Sequence, residues 1–285
     1  MTATDTRSLP DTRQTQLAAG RFRRIRLPQT LWRLLIAVLY VFLLAPVIVV
    51  VVMSFDSQSY LSFPPKSFSL KWYGELSKND SFVTGFKVSV IVAFFASVTA
   101  TAIGVPAALA FTRRKFKGKG IISGAFLAPL LVPTVVLGLA LLLALTPFGL
   151  TGSYPGLVIA HLAITTPYVV RTTMIALASV DTSCEEAAQN LGANGWRVFR
   201  RVTLPLAAPG IVAGAAIAFI ISFDEAVIAL FVVGPNATTL PVEIFRYVQF
   251  RTDPQIAALS TVLILISLLF IVVIERVVGL KRALR

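Results

Sequence analysis

The chain has 285 residues, of which 56% are hydrophobic and only 14% charged, and its mean hydropathy is +0.81. That is more apolar material than a soluble domain of this length needs for its core, so an ordinary water-soluble fold is excluded. The formal net charge of +13 sits in short basic segments between apolar runs, without the aromatic-interleaved basic stripe of a nucleic-acid binder. The lone Cys184 excludes an intrachain disulfide and a cysteine metal cluster.

Residues 1–30 are polar, rich in Thr, Gln and Arg, and lack apolar periodicity, so they read as a mobile tail. The tail ends in a basic cluster, residues 21–26, placed to touch anionic lipid ahead of the first span. The apolar stretch behind it, residues 31–55, is too long for a cleavable signal peptide and is followed by no small-residue cleavage site. It is the first of six predicted spans. A polar connection follows, with Trp72 and Tyr73 placed for a membrane interface, and then the second span, residues 82–111. A compact basic loop, residues 112–119, leads to the third span at 121–145; the fourth covers 156–180, the fifth 204–233 and the sixth 256–280.

Orientation follows from the basic residues. With both termini inside, the inner segments hold about 19 of the 26 Lys and Arg and the outer ones about six. The fold class is therefore an all-α polytopic membrane protein of about six transmembrane helices, both termini cytoplasmic. Small residues such as Gly104, Gly210 and Gly214 suit close helix packing. Pro106, Pro129, Pro133 and Pro167 lie inside apolar stretches and predict kinks or broken turns.

The inner segment between the fourth and fifth spans, residues 181–205, has local punctuation of its own. Ser183 followed by Glu186 predicts a capping box, and Glu185 and Glu186 suit the positive end of a short helix. Leu191 ends that helix and Gly192 suits the left-handed residue after it. A second helical stretch, 196–202, carries Arg197, Arg200 and Arg201, and Pro205 falls in the first turn of the next span. The hairpin exposes Ala187, Ala188, Leu191, Trp196 and Phe199, and apolar side chains on a water-facing loop mark a partner surface.

Glu186-Ala187-Ala188, three residues, Gly192, nine residues, Val202, one residue and Leu204-Pro205 together resemble the EAA loop of binding-protein-dependent ABC importer permeases, with Val202 where the pattern usually has Ile. The resemblance covers residues 31–285 and implies a type I ABC importer permease domain. It implies that Glu185, Glu186, Ala187, Ala188, Leu191, Gly192, Trp196, Arg197, Leu204 and Pro205 form a coupling helix and its surround, docked on a separate ATPase. The implied partners are a second homologous permease, two copies of the ATPase and an extracytoplasmic binding protein. The implied location is the bacterial inner membrane, with ATP and Mg held by the ATPase and no cofactor on this chain. Ser222 to Ile228 and Gly234 to Pro241 look most like the second membrane subunit of spermidine/putrescine-type systems. Relatives with similar segments move iron, phosphonates or opines.

Candidates for a transport path lie in the spans. Asp224 and Glu225 are acids inside an apolar stretch, which is costly unless they meet water, a cation or a partner. One reading makes them a cation site on the path; the other makes them a polar contact that gates or joins two permease subunits. His161 and Tyr168 are further candidates in the fourth span, where a single histidine also reads as a hydrogen bond to a neighbouring helix. Arg171 reads as a snorkelling side chain. The sequence has no phosphate-binding G-x-x-x-x-G-K-[ST] and no recognisable nucleophile, so the chain reads as a non-enzyme. Two rival readings are a gradient-driven secondary transporter, which would show internal repeats, and a non-transporting assembly subunit.

Overall fold

The computed structural model describes residues 29–278. The predicted tail, its basic cluster and the last residues of the chain lie outside that range. The described residues fall into two units, one ending at Ile48 and one beginning at Val49. Helix α1, Gln29–Met53, begins in the first unit and supplies the predicted first span.

The second unit is helical, with only isolated bridges, Asp56 to Phe68 and Gly234 to Ala237, among its described residues. Its centre is three helices: α3 (Asp80–Arg113), α6 (Tyr154–Ser179) and α9 (Leu204–Asp224). They approach closely because their facing residues are small. A Cβ at Gly214 would stand 2.3 Å from Thr172 Oγ1, and one at Gly210 would stand 2.3 Å from the Cβ of Ala176. In lipid, where exclusion of water drives little helix association, such contact is the main source of packing energy. Val88 and Val92 of α3, Leu157 and Ile164 of α6, and Ile228 and Val232 of α10 (Val227–Val232) complete the buried core.

Among the described residues five helices are long and apolar enough to cross a membrane, and a bent pair brings the number to six if the pair is counted as one span. That pair covers the third predicted span, residues 121–145, and is broken in its middle. Helix α4 (Lys119–Leu127) runs into a 3-10 turn, Ala128–Leu131, and α5 (Thr134–Leu145) leaves at 109°. The predicted proline break is present: Val132 is extended (φ −89°, ψ 133°), as a residue before proline must be, and Pro133 has no N–H to continue the ladder. Pro106 and Pro167 instead lie within unbroken helices α3 and α6. Neighbouring helices and side chains make such a lost bond tolerable in a membrane bundle.

The fifth span is also shorter than predicted. Helix α9 ends at Asp224, and Glu225 is extended (φ −72°, ψ 112°) before the chain re-enters helix in α10. Two short helices complete the connections: α2 (Lys71–Leu76) and the unpredicted α11 (Leu240–Phe250), which packs on the Asp80 end of α3. Trp72 is buried in protein rather than presented to an interface, with the Lys71 ammonium 4.9 Å from its ring centre. Helix α12 (Gln255–Val278) is the last span.

Candidate functional site: a capped hairpin at one end of the bundle

Helix α7 (Thr182–Asn190) leaves the end of α6 with Asp181 as its cap, the carboxylate accepting from the Ser183 N–H at 2.9 Å. The cap therefore lies two residues before the predicted Ser183 box, because Asp181 already occupies the extended position where α6 stops. The hydrogen bond from the Ser183 backbone, aided by the Ser183 side chain, holds the Asp181 carboxyl below the usual carboxylate range.

The other end of α7 closes as the sequence predicts. Gly192 takes φ +85°, the left-handed conformation that penalises any Cβ. Gly192 N–H donates to Gln189 O at 2.9 Å and Ala193 N–H to Ala188 O at 3.0 Å, the paired bonds of a Schellman motif. Asn194 then caps α8 (Gly195–Val198) by accepting from Arg197 N–H at 2.9 Å.

The second arm is not a separate helix. It runs through a π turn, Phe199–Thr203, straight into α9, with Leu204 N–H donating to Phe199 O. Pro205 explains the widened turn. It has no N–H for the carbonyl four residues back, and its ring would clash there, so an extra residue in the turn relieves both problems. The turn points Arg200 and Arg201 outward.

The hairpin sorts its side chains by face. Leu191 is 89% exposed and Trp196 68% exposed, beside exposed Glu186, Ala187 and Arg197, while Ala188, Phe199 and Leu204 are half-buried. The Trp196 and Phe199 rings lie 5.6 Å apart. Glu185 points the other way: its Oε1 accepts from Arg113 Nε at 3.2 Å and from the Thr203 hydroxyl at 2.9 Å, and pairs with Arg113 Nη2 at 3.1 Å. Arg113 Nη2 also donates to Val180 O at 2.9 Å. A cleft of about 570 Å³ opens between α3 and the hairpin beside these groups. Sequence reasoning missed Arg113 and Thr203. Arg113 is 72 residues from Glu185, and no local spacing announces so distant a pair.

The intramembrane candidates do not converge on one site. Asp224, at the last turn of α9, is exposed and borders an apolar pocket of about 350 Å³ lined by Phe86, Phe219, Phe223 and Phe270. Glu225 is occupied, its Oε1 accepting from Ile228 N–H at 2.8 Å, which caps α10. His161 is fully buried, its Nδ1 2.7 Å from the Ser222 hydroxyl on α9; this is the predicted hydrogen bond to a neighbouring helix. Its Nε2 has no hydrogen-bond partner among the described residues. Tyr168 is half-buried in α6, and neither it nor His161 lines the pocket beside Asp224. No group of three or more His, Cys, Asp or Glu among the described residues could hold a metal ion.

Residues 100–280 match the family model for the binding-protein-dependent transport system inner membrane component. The chain is 33% identical to the spermidine/putrescine transport system permease protein PotC of Escherichia coli (strain K12) over 234 residues, covering 82% of this chain and 88% of that one. It is 36% identical to the putrescine transport system permease protein PotI of the same strain over 241 residues, covering 82% and 85%. Among solved structures, one chain of a bacterial ABC transporter that imports the acidic polysaccharide alginate shares the fold. Its TM-score is 0.66 and its identity 17%, with 88% of this chain and 95% of that chain covered. The chain thus belongs to the family of binding-protein-dependent transport system inner membrane components, and it is a multi-pass permease subunit of an ABC importer rather than a catalytic subunit.

Proposed function

We propose that this permease carries a polyamine such as spermidine or putrescine. It would form the path with a second homologous permease and receive its cargo from an extracytoplasmic binding protein. Two copies of a separate ATPase, which hold ATP and Mg, drive it through the hairpin at 181–205. Supporting the polyamine reading are the identities to PotC and PotI and the exposed Asp224 carboxylate beside aromatic rings, since an ammonium group suits both.

The observation that carries the coupling role is the hairpin's construction. Both helix ends are capped, so the backbone is rigid, yet Leu191 and Trp196 are left almost wholly uncovered. A stiff element presenting apolar side chains to water is a docking surface awaiting its partner. Glu186, Ala187, Gly192, Arg197 and Pro205 either frame that surface or hold its shape.

The test is gentle purification of the tagged chain from its native membrane. The expected result is recovery of a second multi-span permease and a soluble ATPase, with the ATPase lost at least tenfold in Glu186→Lys, about 1.4 kcal/mol of docking energy. Recovery of the chain alone, moving solute without ATP, would overturn the reading.

A further inference from the structure

The Glu185 carboxylate joins four separate parts of the fold. Through Arg113 it reaches the last residue of α3 and, by the second arm of the guanidinium, the carbonyl of Val180 at the end of α6. Through the Thr203 hydroxyl it reaches the π turn at the start of α9. Glu185 itself belongs to α7. Both charged side chains are largely covered, at 17% and 15% exposure for Arg113 and Glu185. An ion pair so placed is far less screened than a surface pair and has a fixed forked geometry.

The other end of the same helix is equally well tied. Helix α3 has 34 residues, about 50 Å at 1.5 Å per residue. At its Asp80 end the Ser89 hydroxyl accepts from Leu240 N–H at 2.9 Å, and the Asn79 amide lies 3.4 Å from Gln255 Oε1. Pro106 leaves one ladder bond of α3 unmade, yet the helix runs continuously from Asp80 to Arg113, so a push at Arg113 is carried along α3 toward Asp80 and α11.

We propose that the Arg113–Glu185–Thr203 cluster is a positioning joint. It transmits displacement of the hairpin to α3 and through α3 to the opposite face of the membrane, where α11 lies. This rests on the hairpin being the ATPase-coupling element, and the experiment separates the two. The resemblance groups Glu185 with the docking residues, but its carboxylate is turned to Arg113 and Thr203, away from exposed Leu191 and Trp196, so its loss is expected to leave the ATPase attached and to remove the mechanical link.

The assembled transporter, in lipid nanodiscs, carries Cys184→Ser and a reporter cysteine at exposed Ser81, in the first turn of α3. Labelling of Ser81→Cys by a hydrophilic maleimide is timed without nucleotide and after trapping with MgATP and vanadate. With the joint intact, trapping changes the labelling rate at least fivefold. Glu185→Gln reduces that change to under twofold while the ATPase stays bound. Arg113→Lys, which keeps the charge but loses the fork, gives an intermediate value. The exchange Arg113→Glu with Glu185→Arg restores at least half of the response.

A full response in Glu185→Gln overturns the joint, as does release of the ATPase by every variant of the pair, which would assign the cluster to folding alone. Absence of any response with the joint intact overturns it too. Glu186→Lys serves as the reference: if it also keeps the ATPase, the coupling role of the hairpin fails, independently of the joint.

Discussion

Tyr247 shows how a single side chain near the end of α3 is held. Its hydroxyl lies 2.8 Å from both Asp253 carboxylate oxygens and 2.7 Å from Gln255 Oε1. One phenol has one proton to give, so three acceptors compete for it. Partial burial, followed by the hydrogen bond and charge of Asp253, pushes the phenol up to about 12 from 10.0, against the opposing pull of Arg251. The raised value favours the protonated form in the folded protein. Its contribution to stability is therefore whole below pH about 10 and is lost as pH rises through about 12. Subtracting the ultraviolet titration of Tyr247→Phe from that of the parent chain is expected to reveal one phenol ionising about two units later than free tyrosine. A difference curve centred near 10 would mean that the network does not hold the proton.

At the scale of elements, α6 and α9 touch through positions where only hydrogen fits. Gly214→Ala would press a methyl group against Thr172, and Gly210→Ala would press one against Ala176. Each is expected to cost about 1–3 kcal/mol as an overpacked core contact, read as a lower unfolding midpoint in detergent. Gly124→Ala in α4 meets nothing within 4 Å and is expected to be neutral or to stabilise by up to about 1 kcal/mol through helix propensity.

The same elements show what the sequence could and could not announce. The six apolar stretches were legible because length and hydropathy decide membrane crossing, and Gly192 was legible because few other residues tolerate its φ. The bend at Val132–Pro133 was legible as a proline effect, though not its 109° angle, since the packing of α5 against α10 is a contact between distant parts of the chain. The end of α9 was not legible. Glu225 stands at the break, where its carboxylate accepts from the Ile228 N–H at the start of α10, and an acid in an apolar run looks the same whether it caps a helix or faces cargo. The cap at Asp181 was misplaced by two residues for a similar reason: Asp181 and Ser183 are both good caps, and only the end of α6 decides between them.

On the scale of the whole molecule, charge is segregated in a way that bears on cargo. The chain carries +13 overall, yet the exposed side chain at the broken end of α9 is the acid Asp224. The carbonyls at a helix C-terminus add partial negative charge at the same place. Phe219 and Phe223, stacked with rings 6.2 Å apart, and Phe270, 5.1 Å from Phe219, put aromatic faces beside it. A carboxylate, a negative helix end and aromatic faces together favour an organic cation and repel an anion. Asp224→Asn keeps the shape and removes the charge, so energised vesicles bearing the assembled transporter are expected to take up spermidine about tenfold more slowly, the loss of one charge-assisted contact. Asp224→Glu, which keeps the charge, is expected to lose far less. The second permease and the ATPase should remain associated in both variants. If Asp224→Asn instead releases the second permease, the carboxylate is a contact between subunits; if uptake is unchanged with the complex intact, the cation site lies elsewhere on the path.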